Sequence, residues 1–161
     1  MIFVTVGTHE QQFNRLVKAV DDLVANGKIA ESVFQQTGYS DYVPEHCEYS
    51  PFVSASRMKE LMQEADVVVT HGGPSSFIEA MAAGKVPVVV PRRADLGEHV
   101  NNHQSDFVNV VAERQGGIVP VYDIADLYEG IECARKLSAG KIFKSHNAEF
   151  CRKLTRLIEE L

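Results

Sequence analysis

Short apolar runs and helical stripes alternate from one end of the chain to the other. Ile2-Phe3-Val4-Thr5-Val6 is a nearly unbroken apolar run, as in a strand buried on both faces. From about Phe13, the residues Phe13, Leu16, Val17, Val20, Leu23 and Val24 recur at helical spacing and predict an amphipathic helix. Residues 32–37 read as a second strand and residues 48–53 as a weaker third. Met58, Leu61 and Met62 mark a helix over 56–64. A fourth strand over 66–70 precedes a helix that Pro74 opens and that ends near Gly84. A fifth strand covers 86–90 and is closed by Pro91. A polar loop over 92–101 leads into a helix from about 102 to 115, for which Asn102 is the candidate N-cap. A short strand over 118–121 and helices over about 124–137 and 147–161 complete the order. Loop 38–47, with Tyr39, Tyr42 and Pro44, is the most irregular part of the first half.

This alternation predicts one Rossmann-like α/β domain over 1–161, a parallel sheet with helices on both faces. In doubly wound sheets, ligands sit at the carboxyl ends of the strands where strand order reverses. Strands 1 and 4 are expected as neighbours there. Their loops, Gly7-Thr8-His9-Glu10 and His71-Gly72-Gly73, are therefore expected to converge.

The second loop continues as Pro74-Ser75-Ser76-Phe77-Ile78-Glu79. Gly73 turns the chain tightly and Pro74 suits the first helical position. Ser75 and Ser76 then fall in the first turn, where free N–H groups and the helix dipole attract an anion. Glu79 lies one turn beyond Ser75, about 6 Å along the axis. That spacing suits a diphosphate at the tip and a ribose diol on the carboxylate. The plain alternative is a tight turn before a helix.

Composition narrows the field. The 161 residues are enough for one domain and its core. A net charge of −6 argues against a general nucleic-acid binder. Cys47, Cys133 and Cys151 form no CxxC pair, so neither a disulfide framework nor a zinc ribbon is expected, and a reducing cytosol is the simplest compartment. Ile2 to Val6 follow Met1 directly, with no basic leader, and no apolar run approaches the roughly 18 residues of a membrane span.

Loop 91–104 is dense in polar groups. Arg92 and Arg93 have two readings: pairing with an anionic ligand group, or solvated loop charges. His99 and His103, four apart, with Glu98 and Asp106, form a set weighed for a metal, although no standard signature is present. Gln104 can donate to and accept from sugar hydroxyls, as can any exposed helical Gln. His9 and His46 are candidate acid–base groups by chemistry alone. No GxSxG, Ser-His-Asp spacing or Walker lysine is found, which disfavours hydrolase and NTPase chemistry.

The stretch from His71 through Glu79 to Pro91, continued by Glu98-His99-Val100-Asn101-Asn102-His103-Gln104, resembles the C-terminal, donor-binding half of GT-B glycosyltransferases of the MurG type (family 28). The opening from Ile2 to Leu16 is similar to the small catalytic subunits of two-subunit enzymes. These are the bacterial exopolysaccharide PssE/EpsF type and the eukaryotic dolichol-linked N-acetylglucosaminyltransferase type. The resemblance implies that Gly7 and Thr8, with the Gly72, Gly73, Ser75 and Ser76 tip, bind a donor diphosphate. It implies Glu79 on the ribose, and Gln104 with His103 on the donor sugar. The opening loop is less glycine- and serine-rich than is usual in this type, which leaves the roles of His9 and Glu10 open.

Such enzymes have two Rossmann-like domains and this length allows one, so the resemblance implies a membrane-anchored partner subunit carrying the acceptor site. The expected reaction is a metal-independent, inverting transfer from a UDP-sugar, as substrate rather than cofactor, to a lipid-diphosphate-linked sugar in polysaccharide synthesis. It would take place at the cytoplasmic face of the membrane. His9 is the in-chain candidate for the general base, with the partner as the other source. Arg92 or Arg93 is expected to meet a carboxylate if the donor is UDP-glucuronate. Part of the stripe Phe150, Leu154, Leu157, Ile158 and Leu161 is expected to dock the partner. A non-catalytic nucleotide-sugar sensor or scaffold is the alternative. An epimerase is disfavoured because neither a GxGxxG after strand 1 nor a YxxxK pair is present.

Overall fold

β1 (Ile2–Thr5) is buried at every position because strands flank both its edges and helices cover both its faces. The computed structural model describes residues 1–114 and 117–140. Five more strands join β1: β2 (Val33–Gln36), β3 (Glu48–Ser50), β4 (Val67–His71), β5 (Val88–Val90) and β6 (Val119–Pro120). Their order is β3-β2-β1-β4-β5-β6, and every pairing is parallel. The helices are α1 (Asn14–Ala25), α2 (Ala55–Glu64), α3 (Pro74–Ala82), α4 (His103–Arg114) and α5 (Leu127–Gly140). This is the doubly wound Rossmann order, reversing between β1 and β4.

Alternation along the strands divides the core. Ile2, Val4, Val67, Val69, Val88 and Val90 meet α1 and α5 through Leu16, Val17, Val20, Leu127 and Ile131. The residues between them point the other way. Phe3 and Val68 pack on Leu61, Met62 and Ala80 of α2 and α3, and Val89 packs on Phe77, Val108 and Val111 of α3 and α4. The strands carry apolar residues on both sides, as parallel strands between two helix layers must.

Several details differ from the sequence reading. The predicted helix over 124–137 begins with a 3₁₀ turn, Ile124–Asp126, before α5. The predicted strand over 118–121 contracts to two paired residues at the sheet edge, where Pro120 is tolerated. Asn102 does not cap α4 with its side chain. Its Oδ1 accepts from Ala94 N–H at 3.0 Å, and Asn101 Oδ1 takes the His103 N–H at 3.2 Å instead. The predicted helix over 147–161, with its proposed docking stripe, lies outside the described residues.

α1 also holds the irregular loop 38–47. Asn14 Oδ1 accepts the N–H groups of Asp41 and Tyr42, both at 3.1 Å. Asp21, 1% exposed, accepts from the amides of His46 (2.8 Å) and Glu45 (3.0 Å) and from the Tyr42 hydroxyl (2.9 Å). Burial alone would raise the Asp21 carboxyl. The amides of Glu45 and His46 and the Tyr42 hydroxyl outweigh it and hold the group at about 2.

A folded-state value below the ordinary one means that Asp21 stabilises the protein fully above about pH 4 and loses that contribution between about pH 4 and pH 2. Asp21→Asn is expected to cost about 2 kcal/mol at pH 7 in urea unfolding. The gap from wild type should narrow as the pH is lowered from 4 towards 2.

Candidate functional site

At the switch point the C-terminal ends of β1 and β4 open onto a cleft of about 440 Å³. This is the size range of small-molecule sites. One wall is the tip of α3. Gly73 is its N-cap in an extended conformation (φ −74°, ψ 128°), Pro74 sits at the first position, and no side chain caps the helix. Pro74 has no N–H, so the amides of Ser75 and Ser76 are the tip's free donors. Ser75, Ser76 and Glu79 all face the cleft, and Glu79 is exposed with its carboxylate one turn from Ser75.

The facing wall is the loop after β1, where Gly7 adopts φ +76°. Its N–H turns inward to Gln36 Oε1 (3.1 Å) and Thr5 Oγ1 (3.3 Å), and its carbonyl accepts from Gln36 Nε2 (3.0 Å). That N–H is therefore committed within the protein and is not presented to the cleft. Gly7 supplies room instead: a Cβ there would stand 2.5 Å from His71 Nε2. Thr8 and His9 line the cleft beside it. The His9 ring lies against His99 with centroids 4.5 Å apart. Burial first, then the nearby His99 and Arg92, holds His9 below the usual imidazole range.

His71 closes the gap between the two walls. Its Nδ1 is 2.9 Å from the Gly73 amide and its Nε2 is 3.1 Å from Ser76 Oγ. A Cβ on Gly73 would fall 2.1 Å from the ring, which explains the second glycine. Gly72 serves a different contact: a Cβ there would meet the Gln104 side chain at 2.9 Å and Pro91 Cα at 3.1 Å. Burial, reinforced by Arg92, His9 and His99, lowers the His71 imidazole to about 4.

Loop 91–104 corrects the reading of its arginines. Arg92 is fully buried. Its Nη1 donates to the carbonyls of Gln11, Gln12 and Glu98, and its Nη2 to that of Val6, over 2.8–3.0 Å. Its guanidinium stacks on Phe13, 4.7 Å from the ring centroid. Arg92 therefore fastens the loop instead of contacting a sugar. Arg93 points away and pairs with Asp95 on the surface, and His103 is exposed outside the cleft lining.

Glu98 is buried and takes both ends of the Arg15 guanidinium at 2.9 Å, so it is not free to join His99 and His103 on a metal. No group of three or more His, Cys, Asp or Glu able to hold a metal ion occurs among the described residues. Gln104 does face the cleft. Its Oε1 accepts the Arg92 N–H at 3.1 Å, which leaves its amide Nε2 to offer.

Of the residues singled out in the sequence, Gly7, Thr8, His9, Ser75, Ser76, Glu79 and Gln104 converge on one cleft. Arg92, Arg93, His103, Gly72 and Gly73 are not among its lining residues. The lining residues given no ligand role in the sequence reading are His71, Gln36, Thr5, Met58 and Met62, and His99, weighed there only for a metal, also lines the cleft. Gln36 carried a signal: a glutamine at the end of a buried strand must find partners, and it binds the loop that follows β1.

Comparison with known proteins agrees with this architecture. The model of the glycosyltransferase family 28 C-terminal domain matches residues 1–127, and the chain belongs to that family. The chain is 34% identical over 93 residues to a UDP-N-acetylglucosamine--N-acetylmuramyl-(pentapeptide) pyrophosphoryl-undecaprenol N-acetylglucosamine transferase of Bdellovibrio bacteriovorus, a match covering 53% of this chain and 25% of that protein. It is 35% identical over 117 residues to the UDP-N-acetylglucosamine transferase subunit ALG13 of Mus musculus, covering 65% of this chain and 9% of that protein. The chain thus spans a quarter or less of the length of these relatives. Two solved structures share the fold. Acinetobacter baumannii MurG has a TM-score of 0.58 at 16% identity, with 98% of this chain and 49% of that chain covered. The glycotransferase of kitacinnamycin also scores 0.58, at 20% identity, covering 87% and 35%.

The two arginines should separate sharply. Arg92→Ala strands four carbonyls and is expected to cost at least about 3 kcal/mol in denaturant unfolding. Arg93→Ala removes one surface pair and should fall within about 0.5 kcal/mol of wild type.

Proposed function

We propose that this member of the glycosyltransferase family 28 C-terminal domain family binds the nucleotide-sugar donor, UDP-linked, of an inverting sugar transfer. The acceptor is a sugar on a lipid diphosphate, presented by a membrane-anchored partner subunit, in polysaccharide synthesis such as that of exopolysaccharide. The observation that carries this reading is the α3 tip. Two free amides, the Ser75 and Ser76 hydroxyls and, one turn further, the Glu79 carboxylate face one cleft, a spacing that supports a diphosphate at the tip and a ribose beyond it. The names of the two relatives support the donor class, since both are UDP-N-acetylglucosamine transferases. One name supplies a pyrophosphoryl-lipid acceptor and the other the word subunit.

In this scheme the acceptor oxygen attacks the anomeric carbon while the bond from that carbon to the β-phosphate oxygen breaks. The acceptor proton passes to a base and UDP departs as an anion. The chain's work is to meet the charge that grows on the leaving diphosphate with the α3 amides, the serine hydroxyls and the helix dipole. No step is assigned to a divalent cation or a resident cofactor. His9, held neutral near pH 7 by its surroundings, is the in-chain candidate for the base, and the partner subunit is the other source. Gln104 Nε2 is the group that reaches for the donor sugar. The reaction is placed at the cytoplasmic face of the membrane through the partner. Among the described residues no helix is long and apolar enough to cross a membrane.

Calorimetry with UDP tests the donor site. Wild type should bind, and Glu79→Ala should weaken binding at least about tenfold, near 1.4 kcal/mol. The mutant's penalty should largely disappear for a UDP analogue lacking both ribose hydroxyls. Wild type that ignores UDP would remove the proposal. Co-expression with candidate membrane partners, followed by a sugar-transfer assay on a lipid-diphosphate acceptor, separates transferase from sensor. Transfer should persist in EDTA, whereas UDP binding without transfer with any partner favours the sensor.

A further inference from the structure

We propose that His71 is a positioning residue that sets the direction of the Ser76 hydroxyl, so that Ser76 donates its proton to an anion in the cleft. The inference rests on the reading above that a diphosphate occupies this cleft. The argument is one of hydrogen-bond direction. The Gly73 N–H can only donate, and it meets His71 Nδ1 at 2.9 Å, so Nδ1 is the acceptor nitrogen. A neutral imidazole with an accepting Nδ1 carries its proton on Nε2. Nε2 therefore donates to Ser76 Oγ at 3.1 Å and occupies one of its lone pairs.

Ser76 Oγ has no other partner among the described residues, and Ser76 lines the cleft. With a lone pair taken from the His71 side, its own O–H must point elsewhere, and the cleft is the open side. Without this contact the hydroxyl is free to rotate and to donate back to a carbonyl three or four residues earlier, that of Gly73 or Gly72. It would then show lone pairs, not a proton, to the ligand, and a phosphate oxygen would be repelled.

The ring is built to stay in place. The Cβ positions of Gly7 and Gly73 both fall within 2.5 Å of it, at Nε2 and Cε1 respectively, so the two glycine loops hold it closely. Burial and the neighbouring Arg92, His9 and His99 oppose its protonation, which keeps Nδ1 an acceptor. The result is a one-way relay: Gly73 N–H to Nδ1, Nε2–H to Oγ, and Oγ–H to the ligand.

The test uses UDP as the probe. Asn at position 71 offers an acceptor near the place of Nδ1 but nothing near Nε2, whereas Gln places its amide near Nε2. His71→Asn should raise the Kd for UDP about tenfold, the worth of one charge-assisted hydrogen bond, and His71→Gln by no more than about twofold. In a Ser76→Ala background the His71→Asn penalty should vanish, because the effect travels through the hydroxyl. Penalties that add in the double variant would overturn the proposal, as would a His71→Gln that binds as poorly as His71→Asn. Nitrogen-15 spectra of the wild-type imidazoles at pH 7 give a readout independent of any variant. They should show His71 protonated at Nε2, and a proton on Nδ1 would refute the relay. Wild type that binds no UDP would defeat the donor reading together with this one. Wild type that binds UDP while the cycle is additive defeats this one alone.

Discussion

The parallel pairing of β1 with β4 is the contact on which the rest of the molecule depends. The two strands run in register from Ile2 opposite Val67 to Thr5 opposite Thr70. The chain leaves β1 towards β2 and leaves β4 towards β5, in opposite directions across the sheet. Neither following helix can cover the gap between the two carboxyl ends. A parallel sheet reversing at this point must leave an opening there. The opening is floored by Thr5 and walled by whatever residues follow each strand.

Three polar hubs, two of them fully buried and the third partly so, turn that opening into a shaped site. Gln36 grips both backbone groups of Gly7 and also donates to the Pro51 carbonyl at 2.7 Å, fixing the first wall. Arg92 collects carbonyls from Val6, Gln11 and Gln12 after β1 and from Glu98 after β5, so one cation ties two loops far apart in sequence. Arg15, from α1, closes the same region through Glu98 and the Pro91 carbonyl. Each hub binds backbone groups that a loop cannot pair by itself and that would be costly to bury unpaired. Apolar side chains of equal volume would fill the space without fixing the loops.

Much of this was legible in the residues, for reasons that differ by level. Strands β1, β4 and β5 are short valine- and isoleucine-rich runs, and a run of that kind has few alternatives once helical stripes separate it from the next. The α3 tip was legible because Gly-Gly-Pro-Ser-Ser has local consequences: glycine turns, proline starts, serine fills the first turn. Arg92 was not. An arginine beside another arginine in a polar loop looks solvated, and its burial follows from carbonyls contributed by residues about 80 positions away. The inward Gly7 amide was missed for a similar reason, since its partner Gln36 lies on another strand. Asn102 shows the converse: the residue suits a cap, but tertiary contact with Ala94 gives its side chain a different donor.

The hubs also bear on how a site in a chain of net charge −6 can favour an anion. Among the described residues the cleft lining contains no lysine or arginine, and Arg92, the cation felt at His9 and His71, has its Nη donors committed to carbonyls. Burial lowers the Arg92 guanidinium to about 10, so it is still charged near neutral pH, and its charge is felt at His9 and His71. Glu98 offers Arg92 only its carbonyl; the carboxylate belongs to Arg15 and the Arg93 amide. A positive charge thus stands behind the cleft without being able to grasp what enters it, while oriented amides and hydroxyls at the α3 tip make the contact. Such an arrangement draws an anion by field and holds it by dipoles. Under the proposed function, that would suit a site that takes in a charged donor and lets a more highly charged product leave.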